Sequence, residues 1–212
     1  MAEGVLLYDS RGNPVMARGT REGALRTVAH IPPFADLVMA GKVWTVQDLT
    51  TTPVLVAPPG VTSGLTVQNP TKDLYYVVFA LKGYVDVVPA TLGMVSAWHC
   101  AHKLPVVPYA RDILLQATGA GAINGAKAGQ IYGGQIILDR GATVVDDGWT
   151  PSPLQIESNI ATTNFVSREA PLNVPVIIPP GLHYSIAGLA TVVTFEAGWG
   201  LVWAELEEDE LS

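Results

Sequence analysis

Two imidazoles and a thiol fall within five residues at Trp98-His99-Cys100-Ala101-His102, the densest group of reactive side chains in the sequence. Such side chains ligate zinc, or pair as a nucleophile and its base. On a β-strand, positions 99 and 102 differ in parity and point to opposite faces, so a single metal would need a bulge to reach both. His30 and His183 are the other histidines and no His-x-His pair is present. Ordinary strand or interface histidines are therefore favoured over a metal site, and no cofactor is expected. Cys100 is the single cysteine. An intrachain disulfide and a cysteine-rich zinc site are excluded by count, and a lone cysteine behaves more often as a small buried hydrophobe than as a nucleophile.

Other patterns suggest chemistry and fall short of it. Gly119-Ala-Gly-Ala-Ile-Asn-Gly-Ala-Lys127 is glycine-rich after a strand-like run, yet it lacks the Lys-Ser/Thr ending of a nucleotide loop and opens no amphipathic helix to receive an anion. Asp139, Asp146 and Asp147 have no calcium-loop spacing and read as solvated turn residues. Ser152, Ser167 and Ser185 sit in no Gly-x-Ser-x-Gly elbow. No catalytic, cofactor-binding or metal residue is assigned, and the chain is expected not to be an enzyme.

The elements that would carry such residues are strands. In the closing segment, Val193, Phe195, Ala197, Trp199, Leu201 and Trp203 share one parity, while Thr194, Glu196, Gly198 and Gly200 share the other. This is the period of a strand with one core face and one small or wet face. From Thr50 onward, short β-rich runs are punctuated by Pro and Gly: 53–57, 64–69, 74–81, 84–88, 93–102, 113–118, 132–138, and the strands from Val174 to Glu205. Eight to ten strands without helical periodicity predict an all-β fold, an antiparallel β sandwich of jelly-roll-like type. Leu74 to Leu81 is apolar on both parities and belongs at the sandwich centre, covered on both faces. Residues 119–129 and 146–153 read as long surface connections. Residues 1–50 read as an N-terminal extended arm or hairpin adapter, with strands at 5–9 and 14–18 around Ser10-Arg-Gly-Asn13 and a helical turn from Pro33 stopped by Gly41. The domain is placed at 51–206 and an acidic, fraying tail at 207–212.

Composition narrows the partners. Of 212 residues, 49% are hydrophobic and only 15% charged, more apolar than a solitary soluble domain requires, so part of the surface is expected to be buried between subunits. A net charge of −7 with 12 scattered basic residues argues against nucleic acid. Every apolar run is interrupted short of the roughly 20 residues a membrane helix needs. The first residues carry no basic region before their apolar stretch, so no secretory signal is expected.

Two segments resemble structural proteins of tailed-bacteriophage virions: Ser63-Gly-Leu-Thr-Val-Gln-Asn-Pro-Thr-Lys-Asp-Leu-Tyr-Tyr-Val-Val-Phe-Ala80, a strand, Asn-Pro turn and strand, and Ile178-Pro-Pro-Gly-Leu-His-Tyr-Ser185 through Trp203-Ala-Glu205. Leu7-Tyr-Asp-Ser-Arg-Gly-Asn-Pro-Val15 is similar to the opening of many such polypeptides. The resemblance implies a jelly-roll decoration, auxiliary capsid or spike component without enzyme activity, often trimeric. Its partners would be its own copies and the major capsid protein or another virion protein. The implied location is the virion, after synthesis in the host cytoplasm. The arm would then add to a neighbour's sheet edge. Two alternatives stand beside this: a carbohydrate- or receptor-binding spike module using Trp149, Tyr132 or Trp44 as stacking platforms, and a cupin-like metal enzyme using His183 after Pro179-Pro-Gly181.

Overall fold

A computed structural model describes residues 6–8, 14–16, 37–38, 40–87, 93–102, 123–124, 132–158, 166–192 and 195–211. The chain divides into two compact units, Met1–Asp36 and Leu37–Ser212. In the first, β1 (Leu6–Tyr8) pairs antiparallel with β2 (Pro14–Met16) in the register Leu7↔Val15, the hairpin expected around the Ser10 turn.

The second unit holds β3 (Val43–Gln47), β4 (Thr52–Pro53), β5 (Leu65–Gln68), β6 (Tyr75–Val87), β7 (Gly93–His102), β8 (Ile123–Asn124), β9 (Ile137–Arg140), β10 (Thr150–Ser158), β11 (Val166–Ile178), β12 (His183–Ala190) and β13 (Glu196–Leu206). They form a five-stranded sheet in the order β10-β7-β12-β5-β9 and a six-stranded sheet in the order β11-β6-β13-β3-β8, with β4 added to β13. Every pairing between these strands is antiparallel. Without the short β4, β8 and β9, eight strands remain, and the pairing is nested: the first of them joins the last (β3 with β13), the second the seventh (β5 with β12), the third the sixth (β6 with β11) and the fourth the fifth (β7 with β10). A long hairpin wound into two packed sheets is a jelly roll.

The core lies between the sheets. β13 supplies Ala197, Trp199, Leu201 and Trp203, and β6 supplies Tyr76, Val78, Leu81 and Val85. They meet Leu65, Val67, Val95, Ala97, Leu154, Ile156, Tyr184 and Ile186 from the opposite sheet. This matches the parity expected of the closing strand. β6 is covered on both faces as anticipated, because Val77 on its outer side is buried with Val43, Ala204 and Leu206 beneath Leu37, Val38 and Leu211. The turn at Leu37 and Val38 ends as predicted at Gly41, whose φ of 75° lets Lys42 N–H reach the Leu37 carbonyl and Gly41 N–H the Val38 carbonyl, each at 3.0 Å.

Several expectations need correction. The domain does not begin at 51: β3 is an inner strand paired with β13, so residues 37–50 belong to the sandwich. The runs 74–81 and 84–88 are one strand, since Gly83 is no turn; a Cβ there would stand 2.7 Å from Ile156 Cδ1. Ile123–Asn124, placed in a surface connection, pairs with Thr45 and Trp44. β10 begins inside the connection expected at 146–153. The acidic tail does not fray at 208–211 but forms a 3-10 turn whose Glu210 pairs with Lys42 and whose Leu211 packs on the sheet. The run 113–118 lies outside the described residues.

Candidate functional site

β7 sends its residues alternately to the two sides of the five-stranded sheet, and the histidines part accordingly. His99 turns to the interior, its ring 5.7 Å from that of Tyr184. His102 lies on the outer face, where the β7–β12 register sets it opposite His183 and sets Cys100 opposite Ser185. Thr66 of β5 follows, opposite Ser185 on the next strand. Two segments roof this face. Residues 141–149 and 60–64 hold one another through Ser63 N–H to Ala142 O (3.0 Å), Val144 N–H to Val61 O (2.8 Å) and Trp149 Nε1–H to Gly60 O (2.7 Å). Beneath them His102, His183, Ser185 and Thr66 are buried, as is Ser63 of the roof itself.

The buried groups form a chain. His102 Nε2 lies 2.8 Å from Ser185 Oγ, Ser185 Oγ 2.9 Å from Thr66 Oγ1, Thr66 Oγ1 2.7 Å from Ser63 Oγ, and Ser63 Oγ 3.2 Å from the Ala142 carbonyl. Because a carbonyl only accepts and each hydroxyl has one proton, the network assigns its direction. Ser63 donates to Ala142, Thr66 to Ser63, Ser185 to Thr66, and His102 Nε2–H to Ser185. The other nitrogen, Nδ1, faces Asp147 Oδ2 at 3.5 Å and Cys100 Sγ at 3.8 Å. His183 stacks on His102 with ring centroids 4.3 Å apart and planes 20° from parallel, while Trp149 meets His102 edge-on at 6.4 Å.

Burial dominates the electrostatics. It holds His102 below the ordinary imidazole value despite the opposing field of Asp147. It brings His183 down to about 4, with the charge of His102 acting in the same sense and Asp147 against it. Burial also pushes the Cys100 thiol up, away from a reactive thiolate. Ser185, His102 and Asp147 have the connectivity of nucleophile, base and orienting carboxylate. Their details differ from a working triad. Ser185 is 0% exposed, and the direction of the chain puts a proton on the nitrogen that a general base would need free. The arrangement fastens the roof to the sheet.

A second buried pair ties the link after β3 to β9. Arg140 grips Asp48 with Nε to Oδ2 at 2.5 Å and Nη2 to Oδ1 at 2.7 Å. Asp48 is 1% exposed, so this bidentate contact is desolvated. On the opposite sheet Tyr132 donates to Glu205 and receives Ile136 N–H at 3.2 Å, and burial raises the Glu205 carboxyl.

The residues singled out in the sequence fall as follows. His102, Cys100, His183 and Ser185 converge beneath the roof and meet Asp147 from it, whereas His99 does not join them. Asp147 is no solvated turn residue, standing beside His102 at 20% side-chain exposure. Asp146 accepts Gly148 N–H at 3.2 Å in the turn itself. Asp139 stands opposite Thr66 on β9. Ser152 accepts Leu154 N–H at 3.1 Å within β10, and Ser167 is exposed on β11. The stacking platforms are committed inwardly: Trp149 to Gly60 and His102, and Tyr132 to Trp44 at 4.8 Å and Trp203 at 5.6 Å. His30 and Lys127 lie outside the described residues. Among those residues, no group of three or more His, Cys, Asp or Glu is placed to hold a metal ion. The sequence concealed the Ser63–Thr66–Ser185–His102 chain because its members come from distant strands; period-two parity of β5, β7 and β12 was the signal available.

No protein-family model matches the chain, and neither the curated proteins nor the solved structures include a match to it.

Proposed function

We propose that the chain is a non-enzymatic structural protein of a tailed-phage virion, a homo-oligomer that decorates or stabilises the capsid. The observation that carries this reading is where large apolar side chains remain exposed. Leu49, Leu55, Val56, Val61 and Val145 lie on the roof and the segment leading into it, with Leu55 at 53% and Val61 at 58% exposure. Val174, at 76%, stands out from the edge strand β11. Apolar side chains gathered on joined segments favour a covered surface over a solvated one. The virion assignment itself rests on the resemblance of residues 63–80 and 178–205. Those segments touch at their turns, where Asn69 Nδ2 donates to Leu74 O (2.7 Å) and Ile178 O (3.0 Å) and Gly181 N–H reaches Asn69 O (2.8 Å).

Light scattering tests the assembly. A trimer of 22.4 kDa chains has a mass of about 67 kDa, and the pair Leu55→Asp with Val61→Asp should return it to a monomer. A monomeric wild-type chain would overturn the oligomer reading. For the virion role, the purified chain is sedimented with phage heads stripped of decoration. Recovery of the chain with the heads supports it, and a chain left wholly in the supernatant overturns it.

The spike-module alternative draws less support, because Tyr132 and Trp44 pack against each other and Trp149 is engaged by Gly60 and His102. The cupin-like alternative draws less still, since His183 lies on the face of β12 away from the sandwich interior.

A further inference from the structure

We propose that the apolar cavity between residues 52–55 and 59–64 binds a small neutral molecule, mainly apolar and carrying one carbonyl, with the Trp199 indole N–H as the donor to that carbonyl. The cavity follows from a gap in the five-stranded sheet. β5 meets β12 as far as Leu65 opposite Ile186, and Gly64 N–H then reaches Ile186 O at 2.8 Å. The next contact on this side of β12 is a bridge from Leu189 to Leu55, where Ala190 N–H reaches Leu55 O at 2.8 Å. Ala187 and Gly188, between the two, pair with Trp98 and Ala97 of β7 on their other side and with no described residue on this one. A strand turns the N–H and C=O of alternate residues to the same side. Those of Gly188, two residues from Ile186 O and two from Ala190 N–H, therefore open on to the gap.

Through the gap Trp199 of the opposite sheet is reached. A Cβ on Gly64 would stand 2.4 Å from Trp199 Nε1 and Cδ1, and one on Gly188 would stand 2.7 Å from Trp199 Cζ2. Because both positions are glycine, that edge of the indole is left bare towards the cavity, which both glycines and Trp199 line. Trp199 is 2% exposed, and among the described residues its Nε1–H has no acceptor. A buried donor without an acceptor carries a desolvation cost that a ligand oxygen removes. Size and polarity then set the ligand. The cavity measures about 220 Å³. An apolar cavity of about 150 Å³ takes benzene, so a substituted benzene of about nine or ten non-hydrogen atoms fits. The walls include Pro53, Val54, Pro59 and the half-exposed Leu55, and no ionisable side chain lines the space. A charged ligand would go uncompensated there, and a hydrocarbon would leave the indole N–H unmet.

Acetophenone is the probe, and α-methylstyrene, which has the same outline with a methylene in place of the oxygen, is its control. The full-length protein with nitrogen-15 tryptophan gives one indole N–H signal in the NMR spectrum for each of its five tryptophans. Acetophenone should move one of them downfield and saturably, the one missing from Trp199→Phe, and its ring protons should show NOEs to the methyl groups of Val54 and Leu55. Trp199→Phe should weaken acetophenone about fivefold more than it weakens α-methylstyrene, the worth of one hydrogen bond. If Trp199→Phe fails to fold, the saturable indole shift together with the NOEs to Val54 and Leu55 decides. The site is overturned if acetophenone moves no indole signal up to its solubility limit, if its NOEs fall on other residues, or if Trp199→Phe weakens the two probes equally.

Discussion

Ser185 stands between an imidazole that donates to it and a threonine that accepts from it, with no route to solvent. Its removal therefore bears on stability. Ser185→Ala leaves His102 Nε2–H and Thr66 Oγ1 without their partner in a buried setting, which should destabilise the fold by about 2 kcal/mol, read as a lower urea midpoint at constant m. An unchanged midpoint would show that water replaces the hydroxyl. The histidines set the pH dependence. Because the folded state holds both His102 and His183 below the unfolded imidazole value, the unfolded chain binds more protons below about pH 6.5. Their contribution is thus fully present above that pH and is lost as pH falls towards the His183 value of about 4. Thermal unfolding at pH 7 and pH 5 should show a lower Tm at pH 5, and His183→Gln should narrow the gap. At this scale the sequence was partly legible. Parity correctly separated His99 from His102, but nothing in the spacing of residues 63, 66, 102, 147 and 185 announces that they meet.

The glycines of β13 are legible only once the strand has its neighbours. Gly198 and Gly200 looked like a merely small face, and the structure gives the reason for the size. A Cβ on Gly198 would stand 2.2 Å from the Asp48 carbonyl oxygen, and one on Gly200 would stand 2.3 Å from that of Val46. Gly198→Ala should therefore cost about 2–3 kcal/mol through overpacking against backbone, whereas Gly133→Ala, with nothing within 4 Å, should leave the urea midpoint unchanged. Equal effects would remove the close-approach argument. The strands least visible in the sequence, β10 and β11, carry Pro151 and Pro153, and Pro171 and Pro175. Proline cannot donate to a ladder and so reads as a loop residue, yet both strands are sheet edges, where one side needs no donor. Their register shifts fall at these prolines, between Pro151 and Gln155 and between Pro171 and Val176. The Pro179-Pro180-Gly181 turn was the easy case. Gly181 at φ 77° and Leu182 N–H on the Pro179 carbonyl at 3.1 Å make the type II turn that its composition announces.

For the whole molecule, the class of fold followed from strand count and period, while the extent of the sandwich did not. The hairpin, the helical turn and Val43–Gln47 looked alike as preface to the β-rich texture. A chain begun at Leu37 should keep the cooperative unfolding of the sandwich, because the second compact unit is Leu37–Ser212. One begun at residue 51 should lose it, because β3 and the Asp48 contact with Arg140 go together. Circular dichroism melts of the two truncations distinguish these outcomes, and equal melts would return the boundary to residue 50. Nested pairing also has a consequence for synthesis. β13 is the strand that joins β3 to β6, so a polypeptide still emerging from the ribosome carries two unjoined ribbons of one sheet, and the sandwich can close only after the last strand is released. Until then the apolar faces of both ribbons stay uncovered, and closure of the core waits on residues 196–206.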